Sequence, residues 1–139
     1  MTAPVRERLL AAITTAVDGV YRETPPEDER DLPITYVQDG ADEVTADYDY
    51  TRLSMEVGVG RAEPADAQDR ESRRAQAHDI LADIVTAMYA DETFGALAQG
   101  LQMASCGIQT ELGKFVFATA SFKVQYQHVR GDPRALDLA

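Results

Sequence analysis

Cysteine and histidine are almost missing from this chain: Cys106 stands alone, and His78 and His128 are the only histidines in 139 residues. A single cysteine excludes an internal disulfide and fits a reducing compartment. Set in a strand-like run, Cys106 reads as a small buried hydrophobe rather than a nucleophile. The two histidines form neither an H-x-x-x-H nor an H-E-x-x-H pair, so no zinc-type ligand set is expected. His78, beside Asp79 and Asp83, reads as a partly exposed helix residue. No pair of side chains stands out as acid and base, so no catalytic residue, cofactor or metal is expected and the chain is not read as an enzyme. Long apolar runs are absent too. Nothing approaches the roughly 18 residues of a membrane span, and the N-terminus lacks the apolar stretch of a signal peptide, so neither spanning nor secretion is expected.

Cations are also scarce. Thirteen Lys and Arg face 24 Asp and Glu, for a net charge of -11. A firm grip on nucleic acid needs a basic patch that displaces counterions. This composition leaves room only for a protein that lets DNA pass without holding it. Acidic surface also keeps a protein soluble.

What is present is the pattern of one α+β domain, expected over 1–131, with a loose tail over 132–139. Thr2 and Pro4 open a helix expected to run to Asp18, on an apolar stripe through Val5, Leu9, Leu10, Ile13 and Val17. Arg22 to Asp31, with Pro25-Pro26 and five acids, reads as a solvated connection. Leu32 to Val37 reads as a short strand with Pro33 at its start. From Gln38 to Tyr50 an acidic surface loop is expected, with a turn at Asp39-Gly40 and the carboxylates Asp42, Glu43, Asp47 and Asp49. Their spacing matches no EF-hand loop.

Thr51 to Arg61 alternates, with Leu53, Met55, Val57 and Val59 inward. Its V-G-V-G-R end lacks the third glycine and the adjacent helix of a dinucleotide site. A long helix is expected to start near Asp66 to Gln68, and a shorter one, capped by Asp91, to run to Gly100. A strand from Leu101 or Met103 to Thr110 then turns at Leu112-Gly113 into the long strand Phe115 to Tyr126. That strand would span about 40 Å, about twice the usual length. The expected order is α-β-β-α-α-β-β: a four-stranded antiparallel or mixed sheet with helices on one face and a long C-terminal hairpin.

Pairing Glu111 with Lys114 in that hairpin exposes a conflict. Ile108, Phe115 and Phe117 then lie on the face opposite Phe122, Val124 and Tyr126. Either a β-bulge near Ala118 to Ala120 brings everything onto one core, or the strand is regular and its tip offers an apolar face to another molecule.

The order of these pieces resembles the tail terminator family of long-tailed bacteriophages and related particles, the minor tail protein U-like or tail completion proteins. The resemblance is carried by the V-R-E-R-L-L-A-A-I helix, the L-P-I-T-Y-V strand after an acidic linker and the alternating strand Arg52 to Val59. Asp91-Glu92-Thr93-Phe94-Gly95, the closing F-K-V-Q-Y and the G-D-P tail complete it. It implies a homo-oligomeric ring, typically a hexamer, at the head-proximal end of the virion tail, assembled in the host cytoplasm. Such a ring stops polymerisation of the tail tube protein, meets a head-tail connector or neck protein, and lets DNA through its lumen.

A closed ring needs head-to-tail contacts. The candidates are the acidic stretch with Asp39, Asp42, Glu43, Asp47 and Asp49, and the hairpin tip with Ile108, Phe115 and Phe117. Arg52, Arg73, Arg74 and Lys123 would be the cations facing a neighbour's acids. A neck or head-closure protein is the alternative within the same biology, and a small-molecule-binding α+β domain the alternative outside it.

Overall fold

The computed structural model describes residues 2–23 and 32–137, with the side chains of Glu111 and Leu112 left out. The connection expected up to Asp31 therefore lies mostly outside the described residues. The elements are α1 (Val5–Ala16), β1 (Val20–Tyr21), β2 (Ile34–Asp47), β3 (Tyr50–Pro64), α2 (Arg70–Tyr89), β4 (Ala98–Leu112) and β5 (Phe115–Val129). They form a five-stranded mixed sheet in the order β1-β2-β3-β5-β4. β1 pairs parallel with β2, and every other pair is antiparallel.

The α+β class holds, but the strand count and the element order differ from expectation. β1 is two residues long, too short to leave a periodic signal. It forms because α1 ends at Asp18 in the left-handed region (φ 51), turning the chain back beside Tyr36 and Val37. α1 has Pro4 at its N-cap, with no side-chain cap from Thr2. α2 starts later than expected, where the Asp69 carboxylate accepts the Ser72 amide at 3.0 Å.

The expected helix after Asp91 does not exist. Phe94, Gly95 and Ala96 all have positive φ (48°, 73° and 68°), which no right-handed helix accommodates. The Asp91 carboxylate holds this turn by accepting from the Thr93 hydroxyl and from the Thr93 and Gly95 amides. Those bonds, led by the Thr93 hydroxyl, keep its pKa below the usual carboxylate value. The turn drives Phe94 into the core at 4% exposure, and Gly100 lies within β4.

The acidic loop expected between Gln38 and Tyr50 is strand. β2 continues to Asp47, paired with β3 throughout, and the expected Asp39-Gly40 turn is a bulge between Asp39 and Asp42. A ladder to β3 satisfies the backbone there regardless of what the side chains would prefer.

Both helices pack on one face of the sheet. The core joins Val5, Leu9 and Ile13 of α1 and Ile80, Ile84 and Met88 of α2 to Met55, Val57, Val59, Val116, Ala120, Phe122 and Val124. Every even residue from Val116 to Tyr126 is buried, so β5 keeps one core face along its whole length. Its pairing with β3 shows no register shift. The bulge considered near Ala118 to Ala120 is therefore absent from β5. The irregularities sit in β4, at Ala98/Gly100, Met103/Ser105 and Gln109/Leu112.

The hairpin register is also off expectation, by one residue at Ile108 and Gln109 and by two at Leu112. Leu112 lies opposite Phe115, Gln109 opposite Phe117 and Ile108 opposite Ala118, around Gly113 at φ 68. The described part of the expected loose tail, 132–137, docks on the domain. Val5 donates to the Pro133 carbonyl at 2.9 Å, and Leu136 packs against the core.

Phe122, edge-on to Tyr89 at 6.3 Å, is the largest fully buried side chain among the described residues. Phe122→Ala is expected to cost about 3–5 kcal/mol of unfolding free energy, read from urea denaturation.

Candidate interface surfaces

Two of the expected interface acids are committed inside the subunit. The bulge in β2 turns both Asp39 and Asp42 to the helix side, opposite Val57 and Met55. There the Arg6 guanidinium of α1 reaches Asp39 at 2.7 Å and Asp42 at 3.0 Å. Tyr21 donates its hydroxyl to Asp39 at 2.8 Å, and Tyr126 donates to Asp42. Burial alone would raise the Asp39 pKa, but the Tyr21 and Arg6 contacts outweigh it and hold it below the usual carboxylate value. Tyr126 moves up, through burial and then its bond to Asp42. This cluster ties α1, β1, β2 and β5 together.

The other acids point outward. Glu43 is exposed and pairs across the sheet with Ser54. Asp47 accepts from the Thr51 hydroxyl at 2.6 Å and sits 3.7 Å from Arg130, whose amide donates to the Asp49 carbonyl. Arg52 and Lys123 are exposed on the face away from the helices. Arg52 lies opposite Gln127, and Lys123 opposite Glu56 and Gln102. The acids and the hairpin tip are thus not one patch. They occupy opposite sides of the sheet.

The tip residues divide between the two faces. Ile108 is half-buried and packs against the main core. Phe117 lies on the outer face and stacks on Tyr36, ring centroids 6.0 Å apart and 15° from parallel. Tyr36 is 2% exposed, and burial pushes its hydroxyl up to about 12. Its ring rests on Gly60, where a β-carbon would collide with the tip of the ring. Half-buried Phe115, opposite Pro64, extends this outer cluster. Arg73 then anchors the hairpin end to α2 by donating to the Thr110 carbonyl at 2.9 Å and to the Gly113 carbonyl.

Sequence reasoning missed Tyr36, Arg6 and Tyr126. The glycine directly across from an aromatic could have signalled the first. Nothing local signals a contact between α1 and β2 some 36 residues apart. Cys106, read as buried, is exposed on β4, because β4 is an edge strand. His78 is exposed, as a solvent-side helix residue. Among the described residues no three His, Cys, Asp or Glu come together to hold a metal ion, and no helix is long and apolar enough to cross a membrane. A groove of about 470 Å³ runs between α1 and β1, lined by Glu7, Leu10, Ala11, Thr14, Tyr21 and Asp39.

Arg6→Met leaves Asp39 and Asp42 without their cation. At neutral pH it is expected to cost about 1–3 kcal/mol. A carboxylate with a depressed folded pKa stabilises above its unfolded pKa and loses that contribution as pH falls through the folded value. The penalty of Arg6→Met should therefore shrink on acidification below about pH 4, as read from urea midpoints across a pH series. A penalty that stays constant would show that the charges are not coupled. Gly60→Ala is expected to displace Tyr36 and lower stability by about 1–3 kcal/mol, whereas Gly58→Ala, where a β-carbon meets nothing within 4 Å, should cost less.

No family model matches the chain, and no curated protein matches it. Among solved structures it is similar to a chain of the structure titled "Virion of native gene transfer agent (GTA) particle". The two are 16% identical, with a TM-score of 0.40, over 89% of this chain and 92% of that one.

Proposed function

We propose that this chain is a non-catalytic structural protein of a phage-like particle: a tail terminator whose homo-oligomeric ring caps the head-proximal end of the tail tube. In that role it stops tube growth, meets a connector or neck protein, and lets DNA pass. The observation that carries this reading is the ordered series of family-like segments from the V-R-E-R-L-L-A-A-I helix to the G-D-P tail. In the fold those segments supply α1, β2, β3, the Asp91 turn, the end of β5 and the bridge at Asp132.

The architecture supports a ring on separate grounds. A closed ring of identical subunits needs two different, complementary surfaces on each copy. The sheet has two unlike edges: on one side the acidic part of β2 beyond the short β1, on the other β4, uncharged from Ala98 to Thr110. The net charge of -11 suits a lumen that DNA crosses without being held.

Removing the gene from its particle should give tails of unregulated length and heads without tails, seen by negative-stain electron microscopy. Adding the purified chain to growing tubes should stop their elongation. Tails of normal length that fail to join heads would overturn the terminator role in favour of a neck protein.

A further inference from the structure

Both outer strands of the sheet have a free edge. β1 covers β2 only at Tyr36 and Val37, so Gln38–Asp47 has no strand beside it among the described residues. β4, last in the order, has no strand on its outer side among the described residues. Natural edge strands are usually blunted by charge or proline. From Ala98 to Thr110, β4 carries neither. Among the described residues the exposed large hydrophobics are Val20, Tyr21, Val44, Tyr48 and Met103, and all lie on these edge elements or the turn beside them. Of the acids on the free part of β2, Asp39 and Asp42 are paired with Arg6, which leaves Glu43 and Asp47 turned to solvent. Two β2 edges would bring these two acids against their like, whereas Ala98–Thr110 of β4 presents no charge to oppose them.

Strand direction allows the two edges to meet. Successive antiparallel pairings β2-β3, β3-β5 and β5-β4 leave β2 and β4 running oppositely. A second copy placed beside β4 in the same orientation thus offers β2 antiparallel to it. The level of that copy is fixed by β1. Across the sheet Tyr36 is level with Gly60, Thr119 and Gly107. A copy set level would drive its β1 into β4 at Cys106 and Gly107. Sliding it about seven residues, roughly 23 Å, clears β1 and lays Gln38–Asp47 along the C-terminal part of β4. Cys106–Ile108, the middle of the regular run Ser105–Gln109, then meets the regular run Asp42–Val44. Cys106 comes beside Val44, and both side chains belong to the helix side, through their partners Ala120 and Leu53. Tilting the strands absorbs such a stagger when a sheet closes on itself.

We infer that copies of this chain join head to tail by antiparallel pairing of the Cys106–Ile108 edge of β4 with the free Asp42–Val44 edge of β2 in the next copy. The inference rests on the ring reading for its occupant, a second copy.

Val44 is 58% exposed, so Val44→Cys leaves the core intact and gives the chain a second cysteine besides Cys106. Oxidising this full-length variant at high concentration should give a non-reducing gel ladder of dimers, trimers and higher species, collapsed by reductant. Glu43→Cys, on the opposite face, should cross-link far less, and adding Cys106→Ser to Val44→Cys should abolish the ladder. Dimers of the unmodified chain through Cys106 alone would overturn the inference by showing β4 paired with β4. A missing ladder in a sample that native mass spectrometry shows as a closed oligomer would overturn it and leave the ring standing. A missing ladder from a chain held at high concentration, monomeric or not, would overturn the pairing. A ladder from a chain whose loss leaves tail length normal would support the pairing and refute the terminator role.

Discussion

The β3–β5 ladder carries this fold. Fifteen consecutive pairs run from Tyr50↔Val129 to Pro64↔Phe115 without a shift. Because the side-chain period of a strand is two, one slip would have moved Met55, Val57, Val59, Phe122 and Val124 from the core to the outer face together. Both helices close over the face these residues form. The surplus residues are pushed outward instead, one at each bulge of β2 and β4. A rigid centre with adjustable edges is the mechanical consequence.

The bulges explain much of how the acids are placed. Between Asp39 and Asp42 the one extra residue of β2 keeps both carboxylates on the helix side, within reach of one arginine. A continuous alternation would have put them on opposite faces. The same irregularity that re-aims these groups also leaves Glu43 and Asp47 in solvent. Acidity in this stretch is thus divided between holding α1 in place and marking an outer edge.

Legibility in the sequence followed the range of the interactions. The α+β class, α1, α2, the alternation of β3 and the core face of β5 were readable because local periodicity reports burial directly. The continuation of β2 was not, since Asp39-Gly40 has the chemistry of a turn and only pairing with β3 overrides it. The Asp91 turn was read as a helix start because a capping aspartate serves both. Three left-handed residues in a row are a property of the backbone that Phe94 and Ala96 do not advertise. Among the site candidates, Phe115 and Phe117 do lie off the core face as the hairpin pairing implied, whereas Ile108 sits opposite Ala118 and packs against the core. The resolution, Phe117 stacked on Tyr36, required a partner far away in the chain. Cys106 was misread because edge position is a fact of topology, not of composition.

An assembly role for this chain depends on those two unlike edges being used. Electron cryomicroscopy of the intact particle tests that most directly. The account predicts a closed ring of this chain at the head-proximal end of the tail, with β4 of each subunit running antiparallel to β2 of the next. A ring elsewhere in the particle, or subunits whose β2 and β4 edges both face solvent, would contradict it.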